Sequence, residues 1–302
     1  MPEPLQTPID AFRGDGTYLG ADHRRNEHRT WIVAGICLLT LVGQIVGGTL
    51  FHSIALVANG VHMAAHVAVL VAAAVSYRVA RAYAGDHRFA FGAGKVGYLA
   101  GFANAVVLAV TALVIASESL RGLIAPEPVL YVGALELAAA GLAINLVCVW
   151  LLRPVSKYAH DRDGDMNLSA AHLHLAADAV ISVLTIAALL AGRYLGWRWA
   201  DPMAGIIGAA LVARFAWSLL RRSGAVLLDL NPSPQLTAEV RGRLEAMGAK
   251  ILDLHLWRLG PGHHAAIVVL SHAEPLPVAR YHKRLSDLAG LSHVTIEVRP
   301  GT

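Results

Sequence analysis

Four ionisable side chains stand in pairs inside otherwise apolar sequence. His62 and His66 lie in SIALVANGVHMAAHVAVLVAAAV, and His174 and Asp178 lie in NLSAAHLHLAADAVIS. Each pair is spaced i, i+4, so on a helix each shares one face. Ionisable groups within a membrane span are costly and turn toward a bundle interior or a wet cavity. Asn59 belongs to the stripe of His62. Asn167 and Ser182 belong to that of His174, whereas His172 points largely away. Two such helices facing each other offer three imidazoles and one carboxylate. That set suits a first-row dication such as zinc, cobalt or nickel, and not hard magnesium or calcium. With one anionic ligand, a bound dication keeps net positive charge, which favours weak, reversible binding. A single helical histidine is more often a packing residue; two i, i+4 pairs form a different pattern. Axial ligation of haem is the competing use, and a carboxylate one turn from the histidine argues against it.

The elements that carry these residues are membrane spans. Of 302 residues 56% are hydrophobic and only 15% charged, with mean hydropathy +0.52; soluble domains carry nearer a quarter charged residues. A span needs about 20 apolar residues, and six are expected. They run near Trp31–Phe51, Ile54–Tyr83, Val96–Leu123, Val129–Leu152, Asn167–Leu195 and Pro202–Leu220, with Asp201 capping the last and Pro202 at its first helical position. Arginine and lysine collect at alternate junctions: Arg24, Arg25 and Arg29; Arg78, Arg81, Arg88 and Lys95; Arg153, Lys157 and Arg162; Arg221 and Arg222. The positive-inside rule then puts both termini in the cytoplasm of a multi-pass cell (inner) membrane protein. The net charge of +4 marks topology and not a nucleic-acid surface. Cys37 and Cys148 read as buried thiols, with nothing to suggest a disulfide framework or a Cys-x-x-Cys metal site.

Three parts follow: a cytosolic N-terminal arm over 1–30, a six-helix transport domain over 31–223, and a cytosolic domain over 224–302. In the last, residues 234–248 read as a helix ending at Gly248. ILDLHLWRLG and HHAAIVVLSH read as strands, VARYHKRLSDLAG as a second helix and HVTIEVRP as a third strand. The order αββαβ gives a small α+β domain of ferredoxin-like, metallochaperone-like type.

At these residues the chain resembles the cation diffusion facilitator family, proton-coupled exporters of divalent metals. The resemblance rests on the two i, i+4 pairs and on SIALVANGVHM, FGAGK (Phe91–Lys95), NLSAAHLHLAADAVIS, DLHLWRLGPGHHAAIVVL and SHVTIEV. His66 stands where most of that family has Asp. With WRLGPGH in the tail, this is similar to the bacterial cobalt/nickel efflux branch, called DmeF-like. Two departures are Asn59, where that branch commonly has Asp, and the short HDRDGD segment, where it commonly has a long histidine-rich loop.

The resemblance implies a homodimer and no enzyme activity. It implies a transport site of His62, His66, His174 and Asp178 in each protomer, exchanging Co²⁺ or Ni²⁺, with Zn²⁺ and Fe²⁺ as further candidates, for protons. Asn59 and Asn167 are candidates to orient the ligands, or equally to bond helix to helix. His160, Asp161 and Asp163 of HDRDGD can attract cations or form a solvated turn. In the tail, His255, His263, His272, His293 and Glu297 are candidates for a regulatory metal that tightens the dimer. No cofactor beyond the carried metal is expected. A haem- or metal-dependent membrane enzyme, and a membrane-bound metal sensor, are the alternative readings.

Overall fold

The computed structural model describes residues 18–19, 22–50, 54–125, 131–153 and 166–301; within these, the side chains of residues 47–48, 54–62, 65 and 166 lie outside the description. The chain forms two compact units. One comprises residues 22–79 and 96–224, the other 1–21, 80–95 and 225–302.

The first unit is helical. Its helices are α1 (His23–Leu50), α2 (Ile54–Ala82), α3 (Val96–Ile124), α4 (Tyr131–Leu151), α5 (Met166–Leu195) and α6 (Ala200–Leu227). Among the described residues, five helices (α1, α3, α4, α5 and α6) are long and apolar enough to cross a membrane. A helix satisfies all its backbone hydrogen bonds internally, the condition hydrocarbon imposes.

Helix α5 lies at the centre of the packing. Leu168, Ala171 and Leu175 pack with Val33, Ala34 and Cys37 of α1, Met63 and Leu70 of α2, and Cys148 of α4. Ala170 and Ala177 pack with Ala105, Leu108 and Ala112 of α3 and Val212, Ala216 and Leu219 of α6. Helices α3 and α6 approach closely where α6 carries glycine. A Cβ on Gly205 would fall 2.1 Å from Ser119 Oγ, and one on Gly208 3.1 Å from Ile181 of α5. Small residues at such positions let helices pack by backbone proximity where the hydrophobic effect between helices is absent.

Two expected boundaries need correction. Helix α1 starts at His23, well before Trp31, because the polar HRRNEHRT stretch continues the helix; Thr30 Oγ donates to the Asn26 carbonyl at 2.8 Å. Helix α6 starts at Ala200, so Pro202 is its third residue and not its first, and Asp201 is inside the helix. Proline is tolerated there because the first-turn N–H groups have no intrahelical partner. The helix also passes Leu220 and ends at Leu227. An apolar run measures the span; capping and breakers set the helix.

The second unit contains α7 (Pro234–Glu245), β1 (Lys250–Gly260), β2 (His263–His272), α8 (Val278–Leu285) and β3 (Leu291–Pro300). The sheet order is β1-β2-β3, with β1 antiparallel to β2 and β2 parallel to β3. Ser233 caps α7, its Oγ accepting from the Leu236 N–H at 3.1 Å, with Pro234 in the first turn. The helix stops at Glu245, short of Gly248, whose positive φ of 86° carries the chain through the turn into β1.

Strand β1 is irregular between Ile251 and Asp253. A bulge moves the inward set by one residue, so Ile251, Leu254 and Leu256 all reach one core. That core also holds Val240 and Leu244 of α7, Val268 and Leu270 of β2, Tyr281 and Leu285 of α8 and Ile296 of β3.

The segment joining α2 to α3 belongs to this second unit. Tyr18 packs with Leu259 and Ala265. Gly94 lies against the backbone: a Cβ there would be 2.4 Å from the Leu259 carbonyl oxygen and 2.7 Å from that of Tyr18. One on Gly260 would be 2.2 Å from the Tyr18 carbonyl. Lys95 pairs with Asp229, and Phe91 meets the ring of Trp257 edge-on at 5.3 Å.

Candidate metal centre

Helix α2 presents His66 and helix α5 presents His174 and Asp178 to one buried point. His66 Nδ1 lies 2.9 Å from His174 Nε2. Asp178 Oδ2 lies 3.2 Å from His66 Nδ1 and 3.5 Å from His174 Nε2. His66 is 5% exposed and His174 3%. Among the described residues this is the one group of three His, Cys, Asp or Glu side chains whose donor atoms converge.

The triangle has dimensions a metal can use. A triangle with these sides has a circumradius of about 1.9 Å, so an ion at the usual ~2.0–2.1 Å zinc–nitrogen distance stands just off its plane. The three donor–metal–donor angles then come out at about 90°, 103° and 117°, as on a distorted tetrahedron. Asp178 Oδ2 is buried and takes no hydrogen bond of good geometry, although two imidazole nitrogens stand within 3.5 Å. His66 Nδ1 and His174 Nε2 share a hydrogen bond, and Asp178 Oδ2 stands beside both. The same contact leaves no room for a macrocycle between the imidazoles, which removes haem as a reading of this pair.

His62 and Asn59 lie in α2, His62 one turn before His66, and their side chains lie outside the described residues. So do His160, Asp161 and Asp163. Asn167 Nδ2 donates to the Ala73 carbonyl at 2.8 Å, a bond between α5 and α2. Ser182 Oγ donates to the Asp178 carbonyl at 2.8 Å. His172 turns toward Val149 and Arg153 of the α4 end. Glu118 pairs with Arg121 at 3.0 Å.

In the second unit the tail candidates are dispersed. His255 pairs with Asp253 at 2.9 Å, and His263 Nδ1 meets Ser292 Oγ at 2.7 Å. His272 Nε2 donates to the Met247 carbonyl at 2.8 Å. His293 packs against Phe91, and Glu297 is bonded by Arg299 at 2.8 Å. Near the FGAGK segment, Asp86 is engaged by the Arg88 side chain and backbone, which hold its carboxyl down at about 2. His87 and His293 line an open cleft of ≈ 280 Å³ there, with no third donor converging among the described residues.

Residues 30–228 match the cation efflux transmembrane domain. The chain belongs to the cation efflux family. It is a membrane transporter of divalent metal cations and not an enzyme. The chain is 27% identical over 290 residues to the "cadmium, cobalt and zinc/H(+)-K(+) antiporter" of Bacillus subtilis, covering 93% of this chain and 92% of that protein. It is 32% identical to "zinc transporter ZitB" of Pectobacterium atrosepticum, over 85% of this chain and 81% of that one. It is 29% identical to "metal cation efflux system protein CzcD" of Cupriavidus metallidurans, over 92% and 90%.

Three features were beyond sequence reasoning: the backbone junction of Tyr18, Gly94 and Gly260, the Lys95–Asp229 pair, and the meeting of Cys37 with Cys148, whose sulfurs lie 3.9 Å apart. The glycines of FGAGK and RLGPG were visible as residues, but nothing local showed that they touch.

Proposed function

We propose that this cation efflux protein exchanges divalent transition-metal cations for protons across the cell membrane, as a homodimer with both termini cytoplasmic. Helix α2 serves as the sixth span. His66, His174 and Asp178 bind the cation, and His62, one turn before His66, supplies the fourth ligand. The observation that carries this is the buried triangle of donors between α2 and α5. Cobalt and nickel are the favoured substrates. The three ligands include one carboxylate, and imidazole suits those ions. Zinc and cadmium are further candidates, both being named for relatives of this chain.

Proton coupling follows from the donors. Imidazole binds metal only when neutral, and its ordinary pKa is ~6.5. Metal binding therefore displaces protons, and protonation from an acidic exterior helps release the ion there. Asn167 fixes α5 against α2 through Ala73, and so sets the distance between the ligand-bearing helices.

The test is the full chain in vesicles with an imposed pH gradient, measuring uptake of Co²⁺, Ni²⁺, Zn²⁺ and Cd²⁺. Wild type should carry at least one of them in a gradient-dependent way, and Asp178→Asn should lose it. Unchanged flux in Asp178→Asn would overturn the site. His66→Asp adds a second carboxylate and should shift preference from cobalt toward zinc; an unaltered ratio would refute the selectivity argument.

A further inference from the structure

The helical unit holds a second set of metal-binding atoms that the transport reading does not use. Cys37 of α1 and Cys148 of α4 are both 0% exposed. They are the only two cysteines in the chain, and 111 residues apart they meet with sulfurs at 3.9 Å. Neither is bonded to any other described side chain, and no disulfide joins them.

We infer that the Cys37–Cys148 pair is a second cation site, selective for thiophilic dications of the cadmium class. Three arguments support it. The first is geometric: two thiolates on a tetrahedral ion at a metal–sulfur distance of ~2.3 Å stand about 3.8 Å apart, and this pair already spans that edge at 3.9 Å. A tetrahedral cadmium ion, larger than zinc, widens the edge by only a few tenths of an ångström.

The second argument is charge. Two thiolates neutralise a dication completely, so the complex Cys–S–M–S–Cys carries no net charge into a low-dielectric interior, where an uncompensated charge is expensive. The single carboxylate of the His66–His174–Asp178 set leaves the same ion at net +1. On binding, each thiol S–H bond breaks and each sulfur forms a bond to the ion. Two protons leave to solvent, and no oxidant or reductant is needed.

The third argument is ligand softness. Thiolate and thioether donors select soft ions, whereas imidazole and carboxylate suit borderline ones. Met63, whose thioether is a soft donor, sits in the same buried cluster as both cysteines. It is three residues before His66, on the same side of α2. Leu175, next in sequence after His174, joins that cluster too. The soft site therefore borders the carboxylate site on the α1–α4 side.

The test uses the purified full chain in detergent with a non-thiol reductant, titrated with Cd²⁺ alone. Wild type should develop the ultraviolet thiolate-to-cadmium charge-transfer band, saturating at one ion per chain with two protons released per ion. Cys37→Ser and Cys148→Ser should each abolish the band or weaken binding at least tenfold, while eluting as wild type on gel filtration. Asp178→Asn should keep the band, which separates this site from the transport reading. Absence of the band in wild type would overturn the inference. So would its persistence in Cys37→Ser/Cys148→Ser, its loss in Asp178→Asn, or the pair closing to a disulfide under the same reductant without taking up cadmium.

Discussion

Replacing Gly94 with alanine tests how firmly the α2–α3 segment is joined to the sheet-bearing unit. The added Cβ would lie 2.4 Å from the Leu259 carbonyl oxygen and 2.7 Å from the Tyr18 carbonyl oxygen, where ordinary contact begins at 3.4 Å. The gap must open by about 1 Å on one side and about 0.7 Å on the other, and both obstacles are backbone, which cannot rotate away. Overpacking of this kind costs about 1–3 kcal/mol. Lys95, the next residue, would be drawn off Asp229 as the segment moves. Gly85 in the same segment is the control: it is exposed, and a Cβ there meets nothing within 4 Å. Thermal unfolding of the full chain in detergent, followed by tryptophan fluorescence, together with limited proteolysis of residues 80–95, reads the difference. Gly94→Ala should melt several degrees lower and be cut faster in that segment, whereas Gly85→Ala should match wild type within error. Equal melting and cutting for Gly94→Ala and Gly85→Ala would show that the backbones do not meet.

Other outcomes follow from single contacts. Ser233→Ala removes the α7 cap bond to Leu236 N and should destabilise the C-terminal domain by about 1 kcal/mol, read as a lower urea midpoint; Ser233→Asp should restore it. Burial, and secondly the charge of His293, hold the His282 pKa below its ordinary 6.5. The unfolded chain then takes up the proton first, so stability is full above about pH 6.5 and declines as pH falls below it. His282→Gln should flatten that decline in melts collected across the acid range, and an unchanged slope would remove His282 as its source. Asn167→Ala deletes the bond to Ala73 and should cost about 0.6–1 kcal/mol. If its role is to space the helices, transport should fall through apparent affinity more than through maximal rate.

Much of the candidate site was written in local sequence. The i, i+4 spacing alone puts His174 and Asp178 on one face, and the same holds for His62 and His66. That α2 and α5 turn those faces to each other is not local information. It depends on Leu168, Leu175 and the alanines between them dividing α5 into two packing surfaces, and only family resemblance anticipated it. The tail shows the same division. Alternation gave the strands, Gly248 and the Pro-Gly turn gave their limits, but the bulge after Ile251 is a compromise between two faces and leaves no single-residue signature. Proline misled at Pro202 because a helix accepts it anywhere in the first turn. The pairing of Cys37 with Cys148 joins residues of α1 and α4, with α2 and α3 between them in sequence, and neither neighbourhood carries any mark of its partner.

The division of the chain has a practical consequence. The polypeptide passes between the two compact units four times, near residues 21, 79, 95 and 224. The sheet-bearing unit is therefore not an appendage hung on the last helix by one linker. A truncation at residue 224 would remove β1 and strip residues 80–95 of the surface they rest on, and a protease cut near Asn231 would leave the fragment held through Tyr18 and Gly94. Fragment swaps between relatives should treat the α2–α3 segment and the C-terminal domain as one inheritable piece, exchanged together or not at all.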